Sequence, residues 1–333
     1  MNRLVLIAIW LAAVLPGGAV VFEESFAVDP VTHGWRSFGD AALFRWNSSN
    51  QSLEVTWDSS RTNSFFYQPL GTILTKVDDF SVSFDLRLND IRVGSTPGKT
   101  NEFEIAVGLL NYSSATNANA FRGAGVSSTY GVRNLVEFDY FPDAGFGDTV
   151  ATTVVSTNNR IFPVHNFPLT MTPGATFRVM LAYTASNQVL RTSATRNGLP
   201  FGMPPNNTLG DLPMVGRPDF RVDSFAIISY SDAVQIGEPE YHGSVLAHGT
   251  VDNVQITLPP PPIVDLQFQF FSGTRRVEFA SRTNWTYQLE RATDFASWTP
   301  SSAPLAGTGG VLILTDTNPP APNVFYRIRA ERP

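Results

Sequence analysis

From Leu135 to Asp148 the chain reads LVEFDYFPDAGFGD. Apolar and aromatic residues alternate with acids up to Phe141, a period of two that marks a strand with two unlike faces. Glu137 and Asp139 stand two residues apart and leave that strand by the same face. Pro142 then ends it, because proline cannot donate to the ladder, and a glycine-punctuated loop carries Asp143 and Asp148. Four carboxylates thus fall within twelve residues of a chain in which 16% of residues are charged. That much negative charge in one corner calls for a cation, and oxygen-only donors on a strand end and a loop suit Ca²⁺. The same residues fit a plainer reading, alternating acids on a solvated sheet face followed by an ordinary turn.

Outward from this stretch, β signals dominate. Alternating, β-branched or aromatic runs cover Ser52–Trp57, Phe80–Leu88, Phe103–Leu109, Leu135–Phe141, Thr149–Val155, Phe177–Tyr183, Val189–Thr195, Ser224–Tyr230 and Val251–Leu258. The runs starting at Phe177 and Val189, joined by Thr-Ala-Ser-Asn-Gln, read as a hairpin, and Asn197-Gly198 marks the next turn. No amphipathic helical run of useful length occurs. Many short strands separated by turn signals predict an all-β sandwich or jelly roll. Four consecutive prolines, 259–262, form a stiff spacer. Behind it, residues 263–333 carry their own runs at Val264–Phe271, Arg275–Ala280, Tyr287–Ala292, Val311–Thr315 and Val324–Ala330. They predict a small antiparallel β-sandwich with Trp285, Trp298, Tyr287 and Tyr326 in its core. Without His or an acidic cluster, this part reads as a structural or attachment module.

At the N-terminus Arg3, the apolar run Leu4–Leu15 and the small residues Gly17 and Ala19 read as a secretory signal peptide, residues 1–19, cleaved after Ala19. The apolar run is short for a membrane span of about 20 residues; an uncleaved anchor is the alternative. The expected organisation is therefore a signal peptide, a jelly roll over 20–258, the proline linker and the terminal module, in a secreted or cell-surface protein. Cysteine is absent, which removes thiol catalysis, thiolate zinc sites and iron–sulfur clusters. Net charge is −6, and 21 of the 23 basic residues are scattered arginines. With no basic stripe to displace counterions from phosphates, nucleic acid is excluded as a partner, and an anionic membrane surface with it.

The first 258 residues resemble the legume-type (L-type) lectins of the concanavalin A-like lectin–glucanase superfamily, as a divergent, bacterial-type secreted member. The run from Val136, VEFDYFPDAGFGD, is similar to that family's metal loop. There, Glu and Asp alternate on a strand, an aromatic residue offers its carbonyl, and an Asn and a second Asp follow. The resemblance implies that Glu137 and Asp139 match the strand acids and Phe141 the carbonyl donor. Asp143 takes the Asn position and Asp148 matches the loop Asp. Runs beginning at Asp78, Asn101, Phe177 and Phe225 look like other family strands, so the similarity extends thinly from about Phe22 to Leu258. Three positions depart from the pattern. The family's metal-binding His falls at Thr153, which leaves Asp139, the Phe141 carbonyl, Asp143 and Asp148 as a Ca²⁺ set with Glu137 behind it. The Asp-Gly pair that contacts sugar has Asn101 and Glu102 as its nearest match, and Asp143 replaces a sugar-contacting amide.

The superfamily's laminarinase-like glycoside hydrolases also begin with Glu-x-Asp. Retaining hydrolysis needs a second carboxylate at about 5–5.5 Å, yet Phe141 and Pro142 occupy the positions where it would stand. The four histidines (His33, His165, His242, His248) are dispersed; His242 and His248 could share the face of one strand. Arg122-Gly123-Ala124-Gly125 is too short and isolated for a phosphate loop. The connection Asn111–Arg133 is long, polar and studded with Tyr112, Phe121 and Tyr130; loops of such length are often functional. One reading places it beside the metal loop, with Asp143 and Phe146 contacting a glycan; the other has its aromatics pin the loop to the sandwich. Sequons occur at Asn47, Asn50, Asn111, Asn206 and Asn284. The expected function is non-catalytic, calcium-dependent binding of a glycan or polysaccharide. An adhesion or structural protein stiffened by calcium, and a divergent hydrolase, are the alternatives.

Overall fold

The computed structural model describes residues 20–118, 120, 133–143, 145, 147–234, 242–271, 273–320 and 324–332. The expected signal peptide lies outside the described residues. Two compact units divide the chain between Leu258 and Pro259.

The first unit is built from sixteen strands. In chain order they begin with β1 (Val20–Glu24), β2 (Arg36–Phe38), β3 (Phe44–Asn47), β4 (Ser52–Asp58), β5 (Ser64–Leu74), β6 (Phe80–Val93), β7 (Ile105–Leu110) and β8 (Leu135–Phe141). Then follow β9 (Thr149–Val155), β10 (Ile161–Asn166), β11 (Thr176–Thr184), β12 (Val189–Arg196), β13 (Leu199–Phe201), β14 (Leu212–Pro213), β15 (Val222–Ser229) and β16 (Val245–Leu258). A four-residue α-helix, α1 (Tyr112–Ala115), starts the long connection between β7 and β8. One sheet has seven strands in the order β10-β9-β8-β7-β15-β5-β2; the other has the path β13-β12-β11-β6-β16-β4-β3, with β1 beside β16 and β14 beside β12. Neighbouring strands from distant parts of the chain, all antiparallel where their registers are given, make this a two-sheet jelly-roll sandwich.

Alternation sorts each strand's side chains between the faces. Phe84 from β6 lies edge-on to Phe138 of β8 at 6.1 Å and 6.2 Å from Phe225 of β15. Trp35 stacks on Phe66 at 5.0 Å and meets Phe225 edge-on at 5.9 Å. These buried rings fill the space between the sheets. One polar contact crosses the same core, a hydroxyl–hydroxyl bond of 2.6 Å between Thr152 and Thr192. The hairpin of β11 and β12 pairs Tyr183 with Leu190 and Phe177 with Arg196. After it, Asn197 and Gly198 both take positive φ, 51° and 83°, the conformation a two-residue turn needs to close β12 on β13.

The second unit holds β17 (Ile263–Phe271), β18 (Thr274–Ser281), β19 (Thr286–Ala292), β20 (Thr299–Pro300), β21 (Leu305–Ala306), β22 (Val311–Asp316) and β23 (Phe325–Glu331). They form a three-stranded sheet, β17-β18-β22, and a four-stranded one in which β19 pairs with β20, β21 and β23. Val277, Phe279, Leu312 and Leu314 of the first pack with Trp285, Tyr287 and Leu289, and Tyr326 packs against the same cluster. Trp298 departs from expectation: it stays partly exposed on the surface with the Arg327 guanidinium 4.4 Å over its ring. His242 also departs, since β16 begins only at Val245, so it shares no strand face with His248.

Because Phe84 touches aromatic rings on two strands of the opposite sheet, Phe84→Ala leaves a cavity that local collapse cannot fill. Urea denaturation followed by tryptophan fluorescence should show a loss of about 3–5 kcal/mol.

Candidate functional site

Strand β8 runs between β7 and β9, with Tyr140 opposite Ile105 and Leu135 opposite Leu110. On β9, Asp139 faces Ala151 and Glu137 faces Thr153. Val136, Phe138 and Tyr140 point into the sandwich, which puts Glu137 and Asp139 on the outer face of the seven-stranded sheet. That face is nevertheless buried: Leu135, Ala106, Ala226, Ile228 and Phe65 share it, and both acids are 0% exposed. A carboxylate taken out of water is costly unless hydrogen bonds replace its hydration. Glu137 accepts from the Tyr230 hydroxyl, and Asp139 Oδ2 accepts from Thr153 Oγ1 at 2.5 Å. The residue standing where the resemblance places a metal-binding His thus serves Asp139 directly.

Beyond Pro142 the loop turns on Asp148. Asp143, exposed and at φ 57°, donates its backbone N–H to Asp148 Oδ1 at 2.6 Å. The Tyr140 hydroxyl donates to Asp148 Oδ2 at 3.2 Å and accepts from the Met171 N–H at 3.3 Å. The Leu169 N–H closes on the Asp148 carbonyl at 2.7 Å. Each side-chain oxygen of Asp148 thus accepts one hydrogen bond, Oδ1 from the turn and Oδ2 from Tyr140. Tyr140 leaves β8 by the face opposite Asp139. Among the described residues the three carboxylates of the expected calcium set do not gather: the Asp143 backbone meets the Asp148 side chain, while Asp139 leaves β8 by the other face and bonds Thr153. Phe141 stays in the ladder opposite Thr149. Among the described residues no three His, Cys, Asp or Glu side chains form a metal cradle, and this donor arrangement does not fit a bound Ca²⁺.

The sugar-contact candidates divide in the same way. Tyr112 follows the Leu110 end of β7, whereas Asp143 follows the Phe141 end of β8. The register separates those ends by five residue pairs, roughly 17 Å at the usual rise of a strand. Tyr112 lies tilted against Tyr67 with ring centroids 4.7 Å apart, meets Phe38 edge-on at 6.4 Å and donates its N–H to Asp223 at 2.9 Å. It pins the start of the connection to the sheet and does not join Asp143. Burial, then the Tyr112 hydroxyl, push the Tyr67 phenol up to about 12. Phe121, Tyr130 and Phe146, like residues 122–125, lie outside the described residues.

Asn101 and Glu102, by contrast, stand at the Asp143 end. The Asn101 N–H donates to the His242 carbonyl at 3.3 Å, and its carbonyl accepts from Ser244 at 3.0 Å. Gly243 is required at this crossing, because a Cβ there would fall 1.7 Å from the Glu102 carbonyl. Gly147, at φ 111°, is similarly tight, its would-be Cβ 2.9 Å from Pro168. The sequence reading missed Asp232, buried nearby, which accepts from Ser59 at 2.9 Å, Thr96 at 2.7 Å and Lys99 at 2.7 Å. It also missed the buried Glu104 and Tyr230. These residues come from separate segments and carry no common motif. The histidines stay apart: His33 bonds Glu24 at 3.0 Å and His248 bonds Asp90 at 2.8 Å.

No protein-family model and no curated protein matches the chain. Among solved structures it is similar to peanut lectin with a nine-residue peptide, at 16% identity and a TM-score of 0.44, over 73% of this chain and 99% of that one. A legume lectin-like domain from Entamoeba histolytica matches at 9% identity and 0.40, over 71% and 95%. Lectin II from Ulex europaeus matches at 12% and 0.41, over 73% and 100%.

Two outcomes follow from the geometry around Asp148. With the acids of the β8 loop not gathered, excess Ca²⁺ and EDTA should give the same melting temperature by calorimetry; a rise with Ca²⁺, the mass-action signature of binding to the folded state, would overturn this reading of the loop. Burial and then the Asp148 charge raise the Tyr140 phenol above its ordinary 10. A raised folded-state pKa adds stability that is complete below pH 10, the unfolded value, and is lost as pH rises beyond it. Asp148→Asn removes the charge, so tyrosinate absorbance of the folded protein should move to lower pH and the stability lost between neutral and strongly alkaline pH should shrink.

Proposed function

We propose that the larger unit is a non-catalytic carbohydrate-binding module of lectin type, and that glycan meets it at the Phe141 end of the seven-stranded sheet. The carrying observation is two braced pairs of segments at that end: residues 101–102 against 242–244, and Asp143, Gly147 and Asp148 against Pro168–Leu169. The backbone bonds of Asn101 and Asp148 and the glycine crossings hold them. Segments braced in this way hold their polar groups in place, and a few fixed polar groups are what orient sugar hydroxyls. The lectin resemblance of the β8 loop supports the same location.

Calcium has no part in this reading, because among the described residues the acids of the β8 loop do not converge on one point. Nor does hydrolysis. A glycosidase needs two carboxylates reaching the scissile bond, whereas Glu137 and Asp139 are fully buried and hydrogen-bonded into the sheet. The charged-then-apolar start of the chain supports export as the setting.

Glycan-array and polysaccharide-affinity screening of the full chain should find a ligand, in EDTA as well as in Ca²⁺. Asp143→Ala combined with Glu102→Ala should weaken binding by roughly tenfold or more, the effect of losing one or two hydrogen bonds to charged groups, with the melting temperature kept. No bound sugar across the array, or binding indifferent to both substitutions, overturns the proposal.

A further inference from the structure

Strand β17 ends the three-stranded sheet of the second unit; β18 pairs along one side of it, and no described strand pairs along the other. Natural edge strands are blunted by charge, proline or a bulge. Here a bulge falls between Val264 and Gln267, around Asp265 at φ 55°, and protects only the beginning of the strand. Residues 266–271 then read Leu-Gln-Phe-Gln-Phe-Phe, with no charge and no proline.

The side chains match the open edge. Phe268 stands opposite Val277 and Phe270 opposite Arg275, so both belong to the face of the sheet that carries the core. Yet Leu266 is 56% exposed, Phe268 37% and Phe270 73%. Phe268 touches Tyr326 at 5.3 Å and Phe270 at 4.9 Å, so a continuous row of rings leads from the core to the surface. A two-residue hairpin connection, the spacing between Phe271 and Thr274, characteristically closes on a hydrogen-bonded pair. Alternation of the ladder then directs the backbone N–H and C=O of Phe268 and Phe270 to the open side.

An edge of this kind takes an extended strand with apolar residues at every second position and no charge between them. This chain holds such a strand, and it is self-complementary, as a two-fold interface requires. We infer that β17 pairs antiparallel with β17 of a second copy of this chain, joining two three-stranded sheets into one of six strands. With the axis at Phe268, Phe270 meets the partner's Leu266 and Gln267 meets the partner's Gln269. Apolar residues thus face apolar, amides face amides, and no like charges are opposed.

Sedimentation velocity of the full chain over a concentration series tests this, with thermal melts to confirm folding. The expected result is a reversible dimer. Phe270→Lys, at a largely exposed position, should weaken it by at least roughly tenfold, the loss that one buried aromatic predicts. Val311→Lys, on the far edge strand β22, should leave it unchanged. Mixing Phe270→Lys with Leu266→Glu copies should restore association, because the two positions are opposite in this register. A single-chain mass at every concentration overturns the inference. So does a dimer indifferent to Phe270→Lys, or a loss that the mixed pair fails to rescue.

Discussion

Two carboxylates with no water around them constrain everything at the centre of the larger sandwich. Glu137 and Asp139 lie on a face of the seven-stranded sheet that would be solvated in an ordinary two-layer sandwich. In this chain that face is buried, so each acid depends on a hydroxyl supplied by a neighbouring segment. Removing such a partner leaves a desolvated group at a cost of about 1–3 kcal/mol or more for a charge. Tyr230 and Thr153 are therefore as much part of the site as the acids. Since they come from β9 and from the segment after β15, the order of strands in the sheet and the chemistry of β8 impose on each other.

The same logic separates this corner from a metal centre. A cation and a hydroxyl are alternative ways to compensate a buried carboxylate, and Thr153 supplies the second. Asp148 has likewise turned inward, to the Tyr140 hydroxyl and the backbone of its own loop. The acidic density of LVEFDYFPDAGFGD is thus divided between two sides of one strand. Charge that looks concentrated along the chain is spread in space.

Much of the architecture was legible from residue types. Period-two alternation located β8, β9, β11, β12 and five strands of the second unit within one or two residues, missing only the two-residue β20 and β21 there, because each buries one face and exposes or differentiates the other. Strands that break the pattern went unseen. β5 carries Pro69 and Gly71, yet its pairing with β15 continues through Pro69 opposite Ser224, and β10 tolerates Pro163 because it is the last strand of its sheet. The alternation of Glu137 and Asp139 was read correctly, but not their burial, which depends on what lies over the sheet. Which way Asp148 faces is decided by Tyr140 and Met171, far too dispersed to show as spacing. Trp298 was assigned to a core on size alone; its arginine partner holds it at the surface.

The crossing at Gly243 constrains how the Phe141 end of the sheet could diversify. A chain segment with no room for even a methyl group cannot be lengthened, recoded or given new side chains without parting from residues 101–102. Variation in what this end recognises would therefore have to concentrate in the turn after β8, whose exposed tip is free of such contacts at Gly145. The rigid side would act as an anvil and the turn as the exchangeable tool, a division of labour set by one missing carbon atom.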